Sequence, residues 1–595
     1  MGRHSVPVAR VNSGPMATGA AKLRLPRTTS QYALLIFLLA LLSATLLYPI
    51  FLMVRGAFVH VTPAGEEFTL RHLALIFEDP LLVGGLLNSF RVAATTTVLT
   101  VLLALPLAVC AAKYAFPLKK VFSSLILVPL ILPPFVGALG MQALLGREGS
   151  INALLGIEGD WLGSAKFWGV VVLQALALYP IIYLNATAAL ANLDPALEEA
   201  AENLGCGPIR RFFTITLPLI RPGLFAGGTI VFIWSFTELG TPLVFDYTSV
   251  TPVQIYTRLK EVETSAEPYA LTLVMLTAAI AIYFLGRMVL GGRAYAMYSK
   301  ASLAGGERRL TGAPAWAVTG LFTLVTAVAL LPHLGVILLA LSSPGQWYGT
   351  VLPTSYTLDH FGVALGHPES FGSIVNSLKL ASAAVLIDLF LGVLIGYVLV
   401  RTKVRGRAVL DALCMLPLAV PGLVMAFGYV ALSLEWPFGK GHPLEGLVSV
   451  TGVDPNPVPL LIIAYAVRRL PYIVRATVAG LEQTSGELEE AAMNLGATRA
   501  YAVRKVILPL IAANLTAGAL LAFSFCMLEV SDSLILAQQQ QDYPITKAIF
   551  MFLNRLGDGP YIASAMGVWG MALLTVTLVG AAALMGKKLG SIFRV

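Results

Sequence analysis

Apolar residues gather in long, nearly unbroken blocks, and the polar residues between them fall into short charged or Gly/Pro-rich runs. Twelve blocks begin near Tyr32, Asn88, Val121, Phe167, Pro222, Tyr269, Trp316, Asn376, Ala408, Val458, Ile511 and Tyr561. Each reaches the roughly 20 residues that a helix needs to cross a hydrocarbon core of about 30 Å. Backbone groups in lipid must be paired within the segment, so helices and not open strands are predicted. The predicted fold class is therefore all-α, a polytopic membrane protein with about 12 transmembrane helices.

The blocks repeat. Asn88-Ser89-Phe90 returns 288 positions later as Asn376-Ser377-Leu378, and Pro129, Pro133 and Gly140 return at the same offset as Pro417, Pro421 and Gly428. Pro180 returns at 291 as Pro471, after a three-residue insertion. One offset held over so many positions predicts two parallel six-helix repeats. The implied division is a basic tail over 1–31, a first half over 32–290, a linker over 291–315 with Gly305-Gly306, and a second half over 316–595.

Composition agrees: 57% of the 595 residues are hydrophobic and 12% are charged. A soluble enzyme needs about twice that charge to cover its surface. The net charge of +8 reflects loop sorting, not nucleic-acid binding. Lys113, Lys119 and Lys120, then Arg210, Arg211 and Arg221, then Arg401, Lys403, Arg405 and Arg407, then Arg499, Arg504 and Lys505 all fall in alternate loops. The opposite loops hold few bases, so both termini are predicted to be cytoplasmic. Four dispersed cysteines and seven dispersed histidines give no metal-ligand spacing, and metal ligands stay unassigned. No Gly-x-x-x-x-Gly-Lys-Ser/Thr loop is present, so the chain is expected to bind no cofactor of its own.

After the fourth block of each half comes one pattern. Leu197-Glu198-Glu199-Ala200-Ala201-Glu202-Asn203-Leu204-Gly205 is followed, after nine residues, by Ile215-Thr216-Leu217-Pro218. Leu488-Glu489-Glu490-Ala491-Ala492-Met493-Asn494-Leu495-Gly496 is followed, at the same spacing, by Val506-Ile507-Leu508-Pro509. Acids early in a short helix suit its dipole, glycine ends it in the left-handed conformation, and proline is expected to break the next helix before the following span. The loops, 193–221 and 484–510, are predicted helix-turn-helix knobs.

This pattern resembles the EAA loop of the permeases of bacterial ABC importers, and the resemblance covers almost the whole chain. It implies the type I importer permease fold, with both permease subunits fused in one polypeptide of the inner membrane. It also implies a non-enzymatic transport subunit whose partners are a cytoplasmic ABC ATPase in two copies, which uses the ATP, and a periplasmic or lipid-anchored solute-binding protein. Membrane lipid surrounds it, and nucleic acid has no part. By the match, Glu199, Ala200, Ala201, Gly205 and Pro218, with Glu490, Ala491, Ala492, Gly496 and Pro509, are the coupling residues. The ferric-iron branch is the most similar, through the proline-rich third block and Arg468-Arg469-Leu470-Pro471-Tyr472. Thiamine, polyamine, phosphonate and sulfate branches are the alternatives. A secondary transporter with two six-helix halves shares the repeat but does not require the knobs.

Glu238 and Glu529, 291 positions apart, lie in the fifth span of each half, with Asp532 one turn beyond Glu529. A carboxylate at that depth costs about 2.5–3.5 kcal/mol, so it faces protein or a wet cavity. Two readings stand. The acids line a translocation path for a cation, or they cap helix breaks and pair with Arg468, Arg469 and Arg475. The second is expected for Asp388. The three arginines are expected at the cytoplasmic end of the tenth span, reaching the headgroups.

Overall fold

A computed structural model describes residues 27–62, 65–130, 132–162, 166–290, 308–452 and 454–585. Most of the expected basic tail, most of the linker, and the basic C-terminal residues Lys587, Lys588 and Arg594 lie outside these.

Among the described residues, eight helices are long and apolar enough to cross a membrane, and three bent pairs bring the number to 11. Spans 1 and 2 are Thr29–Phe58 and Pro80–Lys113. Span 3 is the bent pair Lys119–Leu130 and Pro134–Leu155. Spans 4, 5 and 6 are Phe167–Ala191, Pro208–Thr237 and Glu267–Met288. In the second half, spans 7 and 8 are Ala313–Leu341 and Pro368–Arg401, span 9 is the pair Arg407–Ala419 and Gly422–Leu434, span 11 is the pair Arg499–Leu510 and Ala512–Met527, and span 12 is Gly559–Gly580. The remaining helix, span 10, is Val458–Glu482, with 25 residues. At about 1.5 Å per residue it is long enough to cross. Arg468, Arg469 and Arg475 lower its apolarity.

Spans 3 and 9 bend by 99° and 105°. Pro133 and Pro421, which have no amide hydrogen, stand at the breaks as N-caps of the second segments. Those second segments join the halves. Gly140 of span 3 lies against the backbone at Pro332 and Gly335 of span 7, and Gly428 of span 9 lies against Pro49 of span 1. Each half thus lays its first span on the other, and side chains of both halves share the two largest apolar clusters.

The repeated Asn-Ser pairs are polar clamps. Ser89 Oγ accepts from Thr251 N at 2.9 Å, and Ser377 Oγ accepts from Ile545 N at 2.8 Å. Asn88 Nδ2 donates to Ser249 O at 3.0 Å, and Asn376 Nδ2 donates to Gln541 O at 2.7 Å. Each clamp ties the second span of its half to the segment after the fifth. Small additions to the all-α plan are an antiparallel hairpin, Val59–Thr62 with Gly65–Phe68, and a two-residue parallel pairing of Tyr114–Ala115 with Arg308–Arg309.

Candidate functional site

In the first knob the helix Pro195–Asn203 starts at Asp194, whose side chain accepts from Ala196 N at 3.0 Å. It ends in a Schellman turn. Cys206 N donates to Ala201 O at 2.9 Å and Gly205 N to Glu202 O at 2.9 Å, with Gly205 at φ +77°. The second knob repeats this turn after the helix Glu487–Asn494. Ala497 N donates to Ala492 O, and Gly496 N donates to Met493 O with φ +91°. Glu199, Ala200, Glu490 and Ala491 face outward, Ala201 is buried and Ala492 is half-buried. At the tips, Leu204 and Leu495 are 89% and 90% exposed, and Ile209, Phe213 and Tyr501 are exposed beside them. Apolar residues so exposed on a charged loop mark a contact surface.

The second helices begin as Pro208–Arg211 and Arg499–Ala502 and pass through π turns at Phe212–Thr216 and Val503–Ile507, again 291 positions apart. Here the structure corrects an expectation, because Pro218 does not break its helix. The π turn shifts the hydrogen-bond register just before it, so the amide that proline lacks falls where a bond is forfeited anyway. Span 5 then runs unbroken from Pro208 to Thr237, whereas span 11 bends by 75° between Leu510 and Ala512, beyond Pro509.

Sequence reasoning passed over the anchors of both knobs. Glu198 accepts from Lys113 Nζ at 2.5 Å and from Thr216 Oγ1 at 2.6 Å. Burial opposes its charge, but the ammonium and the hydroxyl outweigh that and hold its pKa below the usual carboxylate value. Glu489, 4% exposed, accepts from the Tyr397 hydroxyl at 2.7 Å and pairs with Arg499 Nε at 3.4 Å. The available signal was spacing. Glu198 and Glu489 each precede by three positions the alanine that faces inward, so they share its face.

At the far end of spans 5 and 11 lie the acids. Glu238 is the first extended residue after span 5, and its Oε1 accepts from Thr241 N at 3.3 Å and Thr241 Oγ1 at 3.4 Å, capping the helix Gly240–Val244. Glu529 stands in the matching break between Met527 and Ser531. Gly240 packs toward Val530, so the two breaks meet.

Glu529 and Asp532 are paired. Arg468 Nη1 donates to Glu529 Oε1 and, at 3.2 Å, to Asp532 Oδ2, and Arg469 Nη2 donates to Glu529 Oε2. Both arginines are 13% exposed. This overturns their expected place at the headgroups, where only Arg475 fits, 47% exposed and 3.4 Å from Asp411. The reason is charge pairing: two guanidiniums against two carboxylates offset the cost of burial. Asp388 is fully buried, and among the described residues neither of its oxygens has a hydrogen-bond partner. The first half carries Ala177, Leu178 and Thr241 where the second carries Arg468, Arg469 and Asp532, so the charge cluster belongs to one half.

The chain matches the family model described as "Binding-protein-dependent transport system inner membrane component" twice, over residues 104–289 and 388–585. It is 27% identical over 554 residues to a ferric transport system permease protein of Actinobacillus pleuropneumoniae, covering 89% of this chain and 75% of that protein. It is 27% identical over 524 residues to a putative ferric transport system permease protein of Haemophilus influenzae, covering 83% and 77%. A molybdenum transport system permease protein of Escherichia coli is 37% identical over 154 residues, 25% of this chain and 66% of that protein.

Proposed function

The chain belongs to the family of binding-protein-dependent inner membrane transport components, and from that premise we propose that it is the fused permease of an ABC importer for ferric iron. The observation that carries the cargo is the similarity to ferric permeases along most of both chains. As a permease it is a multi-pass inner membrane protein, a transport subunit and not an enzyme. Importers of this family work with an ATPase and a solute-binding protein. In our reading two ATPase copies dock on the knobs from the cytoplasm, where both termini also lie. ATP is spent by that partner, and this chain binds no cofactor.

Coupling follows from the anchors. Leu204 and Leu495, with Glu199, Ala200, Glu490 and Ala491, offer the outer face to the ATPase. Ala201, Ala492, Gly205 and Gly496 hold its shape. Glu198 fastens the first knob to Lys113 at the end of span 2 and to Thr216 at the start of span 5. A push on the knob therefore moves span 5, a continuous helix of about 45 Å, and its far end is Glu238. Pro218 and Pro509 sit where each knob passes into its lever. In the second half the 75° bend divides the lever before it reaches Glu529. The movement separates or joins the two breaks, and with them the path residues Glu238, Glu529 and Asp532. Reconstitution with the ATPase and an Fe(III)-loaded solute-binding protein tests this: ATP-driven accumulation of 55Fe(III) supports it, and accumulation that ignores ATP refutes it.

A further inference from the structure

The charge cluster holds an unmatched pair. Among the described residues, Asp388 on span 8 is fully buried with neither oxygen hydrogen-bonded, and Arg469 on span 10 has a buried Nε without a hydrogen-bond partner while its Nη2 serves Glu529. The helices bring the two together. Spans 8 and 10 run parallel and in contact, and Gly392 and Gly396 lie against Ile473 and Thr477, each pair 81 positions apart. Asp388 and Arg469 stand at the same separation one helical turn earlier on the same two faces.

A guanidinium binds a carboxylate best through two parallel N–H bonds. Arg469 makes one such bond to Glu529, and on the facing side of span 8 stands a second acid that makes none among the described residues. Its guanidinium lies over the Phe525 ring, 5.4 Å from the centroid, a flat surface on which the planar head can turn. Arg468 has no such freedom, because it bridges Glu529 and Asp532. In the first half the corresponding stripe is Thr100, Ala104 and Ala108 against Leu178, Ile182 and Ala186, without charge.

We propose that Arg469 is a tethered cation that occupies the acidic site of the closed path, and that Asp388 is the acceptor to which it turns when a transported cation takes its place at Glu529. The swap moves one positive charge from Glu529 to Asp388 and frees Glu529 Oε2, while Oε1 stays with Arg468, so that Oε2 joins Glu238 across the break as a ligand for a hard, oxygen-seeking cation. Asp388 is a positioning residue: it never touches the cargo, and it acts by accepting Arg469. The proposal rests on the importer reading above and adds the step by which the site empties itself for its cargo.

The test is a Tb3+ titration, by luminescence, of the full-length chain with its ATPase in nanodiscs. Arg469→Gln removes the competitor and is expected to tighten Tb3+ binding at least tenfold, with Arg468 still neutralising the cluster. Asp388→Asn removes the landing site and is expected to weaken it at least tenfold. Asp388→Glu, which keeps the acceptor, is expected to stay within about threefold of wild type. The decisive variant is Asp388→Asn combined with Arg469→Gln, expected to bind as Arg469→Gln alone does. If Asp388→Asn weakens binding equally with Arg469 present or absent, Asp388 is a direct ligand or a packing residue and the swap is wrong. No tightening in Arg469→Gln overturns it as well. Failure of the wild-type importer to take up 55Fe(III), with this Tb3+ pattern intact, removes the ferric cargo and leaves the swap standing.

Discussion

Replacing Gly205 and Gly496 separates the backbone geometry of the knobs from their composition. Both have positive φ, +77° and +91°, and a Cβ built on either meets nothing within 4 Å. Substitution therefore creates no clash, and its whole cost is conformational. A left-handed L-residue costs roughly 1–2 kcal/mol, and a β-branched one cannot relieve it by local hydrogen bonding as asparagine does. If the docked knob needs the Schellman turn, valine at one knob weakens ATPase binding about tenfold, since 1.4 kcal/mol is a factor of ten. Valine at both is expected to give roughly a hundredfold. Asparagine is expected to stay within about threefold. The assay is a pull-down titration of the ATPase against membrane-inserted variants, read beside ATP-driven 55Fe(III) uptake, with immunoblots confirming insertion. Normal binding and uptake in the double valine variant would mean that the knobs are not couplers. Equal loss with asparagine and valine would mean that φ is not the reason.

Glu198→Gln is expected to loosen the first knob by about 1 kcal/mol, because the Lys113 pair is partly exposed, and to lower ATP-coupled uptake more than ATPase binding. The depressed pKa of Glu198 means that this stabilisation is present above the unfolded carboxylate pKa and lost as pH falls through the lower folded value. The uptake difference between wild type and Glu198→Gln is therefore expected to persist from pH 7 to pH 5. Lys547, in the short helix Ile545–Leu553, is 3% exposed, and burial lowers its pKa to about 8. The unfolded chain then binds more protons above pH 8, so stability rises with pH there; the melting temperature in detergent is expected to rise more between about pH 8 and pH 9.5 in wild type than in Lys547→Met, which also gives up the ammonium's bonds to Leu534 O and the Tyr256 hydroxyl. Glu238→Gln is expected to leave ATPase binding intact and cut 55Fe(III) uptake at least tenfold; wild-type uptake removes Glu238 from the path. Single cysteines at Arg210 and Arg504, with native cysteines removed, are expected to resist an impermeant thiol reagent applied to intact cells, and labelling of either from outside refutes the orientation.

The repeat was legible because prolines and glycines at fixed offsets, Pro133 with Pro421 and Gly140 with Gly428, do the same backbone work twice. The knobs were legible because Gly205 and Gly496 carry a conformation that few residues share. Arg468 and Arg469 were not. Adjacent arginines in an apolar helix look alike whether they reach lipid headgroups or protein acids, and the acids that hold them come about 60 residues later, at Glu529 and Asp532. The Asn-Ser pairs marked the repeat without revealing their task, because the backbone groups they clamp lie more than 160 positions away. The unbroken course of span 5 past Pro218 depends on a π turn, which leaves no pattern of apolar spacing.

The central claim is that ATP hydrolysis by a partner, passed through both knobs, drives cargo through this chain. Its most direct measurement is hydrolysis by the ATPase bound to the full-length chain in nanodiscs, with and without Fe(III)-loaded solute-binding protein, beside 55Fe(III) uptake in proteoliposomes of the same composition. The account predicts that the loaded binding protein stimulates hydrolysis, and that uptake stops when the ATPase is omitted or replaced by a hydrolysis-deficient variant. Uptake that continues unchanged without a working ATPase would contradict it.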